Sequence, residues 1–285
     1  MNVLVTGSSG QLGSEIKVLS KKHIYRHVFF FENTSGLDIT DLSSVKDYFK
    51  QNDINAVINC AAYTAVDKAE SEQELARKVN ADGVRNLLEA LNERGRFIHI
   101  STDYVFNGES YIPYKETDKV DPLGTYGKTK REGEEYFLNS NTKGFIIRTS
   151  WVYSSFGNNF VKTMLRLGKD RESLGVIFDQ IGSPTYARDL AKVCLTFLEQ
   201  DTPSKTEIYH YSNEGVASWY DFAKSIMEIA NLKCNVKPIE TKDYPTPAKR
   251  PNYSFLNKTK IKKDLNIEIP HWRDSLNECI KELEK

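Results

Sequence analysis

Residues 1–13 read MNVLVTGSSGQLG, a short apolar run over Met1–Thr6 followed by Gly7, Gly10 and Gly13 at three-residue spacing, with Leu12, Ile16 and Leu19 then recurring at helical intervals. A strand that ends in glycines and opens a helix is suited to a pyrophosphate. The glycines permit a tight turn and close backbone approach, and the first amides of the helix face the negative charge. Glycine spacing alone is weak; the strand before it and the helix after it carry the reading.

The same alternation continues along the chain. Strands are expected near His27–Phe31, at Ala56–Cys60, Phe97–Ser101 and Phe145–Thr149, and helices over Gln11–Lys22, Leu42–Gln51, within Glu72–Glu93 and from Tyr126 to Leu138. Nearly all-apolar strands separated by amphipathic helices predict an α/β fold, a doubly wound parallel (Rossmann) sheet covered on both faces. After Thr149 the rhythm loosens into segments rich in aromatic residues, Ser, Gly, Asn and Pro, the composition of loops that carry recognition. The expected division is a dinucleotide-binding domain over 1–150, rejoined by about 180–210 through a helix at Tyr186–Glu199, and a smaller α/β substrate-binding lobe from 151–179 and 211–285.

With 285 residues the chain is long for one compact domain and short for three. Its 39 basic and 39 acidic residues cancel, so nothing points to nucleic acid or to an anionic membrane, and any anionic ligand must be held locally. Cys60, Cys194, Cys234 and Cys279 form no paired motif, which fits reduced thiols, and with neither a membrane-length apolar run nor a secretion signal the expected location is the cytoplasm.

Several further positions are candidates for chemistry. Glu32, about 20 residues past the glycines, is placed to accept from an adenosine ribose hydroxyl and to repel a 2′-phosphate, or else is a solvated charge at a strand end. Asp38-Ile39 is the other candidate for the adenine end, its alternative being a helix cap, which Thr40 or Asp41 would serve as well. NADH and NADPH both stay open. Ala61, Ala62 and Tyr63 follow the third strand, where small residues let a cofactor lie against the backbone. Ser101-Thr102-Asp103 ends the fourth strand, on the edge where open parallel sheets bind ligands. A hydroxyl there would polarise a carbonyl and Asp103 would accept from a sugar hydroxyl. Tyr126 and Lys130 stand four residues apart on one helix face, so the ammonium can stabilise a phenolate, whereas Lys128 points elsewhere. Arg250, in a proline-rich loop, is either a surface charge or a guanidinium fork able to match the oxygens of a diphosphate, should the substrate carry one. Trp151 is either a wall for a sugar or simply core.

Taken together, VTGSSGQLG, LDITD, INCAAYTAVDKAE, ISTDYVFNG, YGKTKREGE, IIRTSWVYSSFGNNFVKTML, DQIGSPTYARDLA and YPTPAKRPNYSFLN resemble the extended short-chain dehydrogenase/reductases, and within them the dTDP-4-dehydrorhamnose reductase family. The resemblance spans almost the whole chain. It implies NADPH- or NADH-dependent reduction of the C4 keto group of dTDP-4-dehydro-L-rhamnose, with Tyr126 as general acid, Lys130 its partner and Thr102 completing the triad. It also implies cofactor contacts from Gly10-Gln11-Leu12, Asp38-Ile39, Ala61-Ala62-Tyr63, Tyr126 and Lys130, and sugar-nucleotide contacts from Thr102, Asp103 and Trp151. Some relatives dimerise through acidic residues around a metal. Here Glu15 is present but Arg188 stands where an acid is expected, so no metal is assigned, while a homodimer stays open. Two alternatives remain: an epimerase or dehydratase of the same superfamily, disfavoured because Tyr104 follows Asp103 where a dehydratase has a second acid, and a non-catalytic subunit resembling the regulatory subunit of methionine adenosyltransferase, disfavoured by the joint presence of Thr102, Tyr126 and Lys130.

Overall fold

The computed structural model describes residues 1–21, 26–91, 93 and 95–285. Lys22 and Asn92, inside two of the expected helical segments, lie outside the described residues. The first half runs β1 (Asn2–Thr6), α1 (Gln11–Leu19), β2 (Val28–Phe31), α2 (Leu42–Asn52), β3 (Ala56–Asn59), α3 (Val66–Ala69), α4 (Gln73–Arg77), α5 (Gly83–Ala90), β4 (Arg96–Thr102), α6 (Thr125–Leu138) and β5 (Lys143–Thr149). It continues with β6 (Val152–Tyr153), α7 (Phe160–Asp170), β7 (Ser173–Ile177), β8 (Ile181–Gly182), β9 (Thr185–Tyr186), α8 (Ala187–Glu199), β10 (Glu207–His210), β11 (Ala217–Ser218), α9 (Trp219–Ile229), β12 (Asn235–Ile239), α10 (Thr259–Leu265) and α11 (Trp272–Leu283).

Six strands form one sheet in the order β10-β5-β4-β3-β1-β2, every neighbouring pair parallel. Successive side chains of a strand point to opposite faces, and here both sets are apolar. Val3, Val5, Ile58, Ile98 and Ile147 pack under α1 and α8, while Leu4, Val57, Phe97 and Ile146 pack under α2, α5 and α6. The result is a doubly wound sheet with a smaller lobe. The chain returns to the sheet through α8 and adds β10 beside β5, an edge strand that periodicity did not single out. Ile261 and Ile269 also pack into the α1–α8 core, so part of 211–285 lies against the sheet rather than in the lobe. The lobe has its own core, built around Tyr153, Phe222, Ile226, Trp272 and Leu276.

The helix expected within Glu72–Glu93 is broken. Residues Lys78–Asp82 form a π turn between α4 and α5. Asn80 within it accepts from the Tyr63 amide at 2.8 Å and donates to Tyr63 O at 3.2 Å and to Thr129 Oγ1 at 3.1 Å. One buried amide side chain thus ties the loop after β3 to α6, the kind of local use for which π turns are retained.

Candidate active site

Thr6, Gly7, Gly10, Gln11 and Leu12 begin one wall of a cleft of about 610 Å³ that runs along the carboxyl ends of β1, β3, β4 and β5. Gly7 has φ +61°, and a Cβ there would come within 2.8 Å of Ala61 N and Cys60 O. Only glycine lets the turn lie this close to the loop after β3. Gly10 precedes α1 without a side-chain cap, so the first amides of that helix remain open toward the cleft. Gly13 lies underneath, packed on the Gly7 carbonyl, and does not line the cleft. Gln11 reaches across to the lobe, donating to Val152 O at 3.3 Å and accepting from Asn159 Nδ2 at 3.1 Å.

At the other end of this wall Asp38 and Ile39 line the cleft, joined by Asn33, Thr34 and Leu37, which sequence reading missed because a polar turn has no period. Helix α2 is capped by Asp41, whose carboxylate accepts from Ser43 N at 3.0 Å and Ser44 N at 3.3 Å; these contacts hold its pKa below the ordinary value. Asp38 is therefore free of the capping task and instead holds the Thr40 amide and hydroxyl. Glu32 differs from expectation. Its carboxylate accepts from Tyr48 Oη at 2.8 Å and does not line the cleft.

Past β3, Ala61 and Ala62 line the cleft, with Thr64 and Val66 beyond them. The Tyr63 side chain turns outward instead, its hydroxyl on Glu72, and only its backbone serves the site through Asn80. A tyrosine whose ring covers surface while its main chain shapes the loop leaves no mark in the sequence.

Ser101, Thr102, Asp103 and Tyr104 leave β4 into the middle of the cleft, opposite Tyr126 and Lys130 of α6. Helix α6 approaches closely because Gly127 meets the Tyr104 carbonyl where a Cβ would overlap it. The Tyr104 and Tyr126 rings meet edge to face with centroids 5.5 Å apart. Lys130 Nζ donates to Ile100 O at 2.7 Å. Burial lowers the Lys130 ammonium to about 8, with buried Glu134 one turn further along opposing that fall. Glu134 is itself held by Arg148 at 2.8 and 2.7 Å. Burial pushes the Tyr126 phenol up to about 12, partly offset by a hydrogen bond with the Thr102 hydroxyl. Thr102 Oγ1 also donates to Asp103 Oδ1 at 3.1 Å, and burial raises the Asp103 carboxyl to about 6. A neutral phenol, a hydroxyl and an ammonium that is mostly charged at neutral pH therefore converge on one space. Such a set can deliver a proton to the oxygen of a carbonyl whose carbon accepts a hydride.

Trp151 lines the lobe side of the cleft with φ +48°, an uncommon backbone for a bulky residue, and stacks on Trp219 at 3.7 Å with 11° between the rings. Arg250 does not line the cleft. Its guanidinium makes a two-pronged pair with Asp67 at 3.0 and 2.7 Å, so the fork expected to meet a diphosphate is already occupied. Arg188 Nε pairs with fully buried Glu15 at 3.0 Å, and its other end reaches Glu282 at 3.5 Å; Ser154 donates to the second Glu15 oxygen at 2.8 Å. A guanidinium thus neutralises these carboxylates. Among the described residues no group of three or more His, Cys, Asp or Glu gathers as a metal site, and no helix is long and apolar enough to cross a membrane.

The fold is a doubly wound parallel sheet of the dinucleotide-binding type, with the cleft at the carboxyl ends of its strands. The family model described as RmlD substrate binding domain matches residues 1–285. A dTDP-4-dehydrorhamnose reductase of Aggregatibacter actinomycetemcomitans is 44% identical, over 96% of each chain. A solved dTDP-4-dehydrorhamnose reductase from Clostridium acetobutylicum superposes with a TM-score of 0.95 at 41% identity, covering all of both chains. Another from Bacillus anthracis, solved in complex with NADP, gives 0.93 at 39% identity over 99% of each. The chain belongs to the dTDP-4-dehydrorhamnose reductase family.

Proposed function

We propose that this protein reduces the C4 keto group of dTDP-4-dehydro-L-rhamnose to give dTDP-L-rhamnose, using NADPH or NADH. The observation that carries the reading is that Thr102, Tyr126 and Lys130 open into the same cleft as the glycine turn and the uncapped start of α1. Gly7, Gly10, Gln11 and Leu12 cradle the pyrophosphate, Asp38 and Ile39 meet the adenosine, and Ala61 and Ala62 let the dinucleotide lie against the backbone. The reduced nicotinamide, when bound, supplies the hydride. Lys130 holds its ribose and keeps the phenol beside a positive charge, and Tyr126 gives its proton to the oxygen that becomes the alcohol. Thr102 aligns Tyr126, and Asp103 and Trp151 position the sugar. On this reading residues 1–150 and about 180–210 serve the dinucleotide, while 151–179 and much of 211–285 serve the nucleotide sugar. Arg250 contributes to the diphosphate only by exchanging Asp67 for it. Four free cysteines suit the cytoplasm as the working compartment.

The test is direct. Purified protein given dTDP-4-dehydro-L-rhamnose should oxidise NADPH or NADH, followed by loss of absorbance at the reduced nicotinamide band. No oxidation with either cofactor overturns the proposal.

A further inference from the structure

The end of β2 holds an arrangement that the reaction itself does not use. Residue 32 lies at the rim of the glycine turn, since Ser8 N donates to its carbonyl at 3.0 Å and its own amide donates to Val5 O at 3.0 Å. Asn33 and Thr34, the next two residues, line the cleft. The Glu32 side chain is drawn the other way. One carboxylate oxygen accepts from Tyr48 Oη of α2 at 2.8 Å, and the other lies over Gly36, where a Cβ would overlap it. Gly36 is held there by a turn closed on Asn33, with Gly36 N donating to Asn33 O at 3.0 Å and Ser35 N to Asn33 Oδ1 at 3.0 Å.

The geometry points to Tyr48 and Gly36 as determinants of cofactor choice: together they hold the Glu32 carboxylate out of the cleft and so admit the 2′-phosphate of NADPH. The inference rests on the cleft being a dinucleotide site. A carboxylate facing the ribose at the end of the second strand binds the 2′-hydroxyl of NADH and repels a phosphate at the same point. Among the described residues that line the cleft, Lys130 is the sole cation, and it sits at the Tyr126 end. At the same end Asp38 keeps its carboxylate on the Thr40 amide and hydroxyl, and no basic side chain lines that end to compensate for a second carboxylate, so the placement of Glu32 decides the balance. With Glu32 clamped aside, the 2′ position meets the neutral side chains of Asn33 and Thr34 and both cofactors are accepted. Removing the phenol hydroxyl frees the carboxylate to turn toward the ribose.

Dissociation constants for NADH and NADPH, measured by the fluorescence of the reduced nicotinamide without any sugar, would test this in wild type, Tyr48→Phe, Gly36→Ala and Tyr48→Phe/Glu32→Gln. Wild type should bind both within about tenfold of each other, and Tyr48→Phe should move the ratio toward NADH by roughly tenfold, the size of one unscreened charge contact near a surface. Gly36→Ala, which displaces the carboxylate without touching the phenol, should move it the same way, and adding Glu32→Gln should return the ratio to wild type. A merely structural loss would weaken both cofactors equally and leave the ratio still, which overturns the inference. Wild-type protein that binds neither cofactor overturns the dinucleotide reading along with it, a result separate from binding both with an unmoved ratio.

Discussion

Lys130 Nζ donates to the Ile100 carbonyl at 2.7 Å, so the ammonium one helical turn beyond Tyr126 is fastened to the sheet near the carboxyl end of β4. That bond fixes where the charge sits relative to the phenol. Lys130→Met removes the charge and keeps most of the apolar stem. Turnover should fall at least about a hundredfold, the usual scale of an acid–base assembly, with weaker cofactor binding. Steady-state kinetics with cofactor titration checks both, and wild-type turnover would remove Lys130 from the mechanism.

The lowered Lys130 pKa of about 8 also sets a pH window. The ammonium is present below that value and lost above it, so kcat/KM should hold from neutral pH to about 8 and then decline, approaching tenfold per pH unit. A profile flat up to pH 9.5 would show that the charge on Lys130 is not required.

Tyr126→Phe keeps the ring that packs edge to face on Tyr104 and removes only the acidic proton. Turnover should drop by about 10²- to 10⁴-fold, while NADPH affinity stays close to wild type. Unchanged turnover would mean that another group is the acid.

Asp103 is buried, and its carboxyl is raised from 3.8 to about 6 chiefly by desolvation. A raised folded-state pKa means the associated stability is present below the unfolded value and lost as pH climbs through about 6. Asp103→Asn should therefore stabilise the protein at pH 7 by up to about 3 kcal/mol, one pKa unit corresponding to about 1.4 kcal/mol, and confer nothing near pH 3.5. Urea denaturation at the two pH values measures the difference; equal effects at both would refute it. The same substitution should impair sugar binding, so the gain in stability comes with a loss of function.

Arg188→Met leaves the Glu15 carboxylate, fully buried on α1, without its cation. Breaking a buried pair from one side costs about 3–5 kcal/mol, and pairing it with Glu15→Gln should recover much of that. Thermal unfolding of the single and double variants checks the coupling; additive losses would show that the pair is not coupled.

What the sequence determined by itself was local and periodic. Apolar strands of alternating partners, the glycines after β1, the four-residue interval from Tyr126 to Lys130 and the hydroxyl at the end of β4 each follow from backbone geometry, so the doubly wound sheet and the elements that border the cleft could be read directly. The tertiary structure decided the orientation of side chains that have more than one partner within reach. Glu32 turned to Tyr48 rather than the cleft, Arg250 paired with Asp67, and Tyr63 placed its ring on the surface and its main chain on Asn80. Those choices depend on groups brought together from elements up to 183 residues apart, and a flexible charged side chain takes the partner that best compensates its desolvation. No spacing rule along one strand or helix encodes that competition.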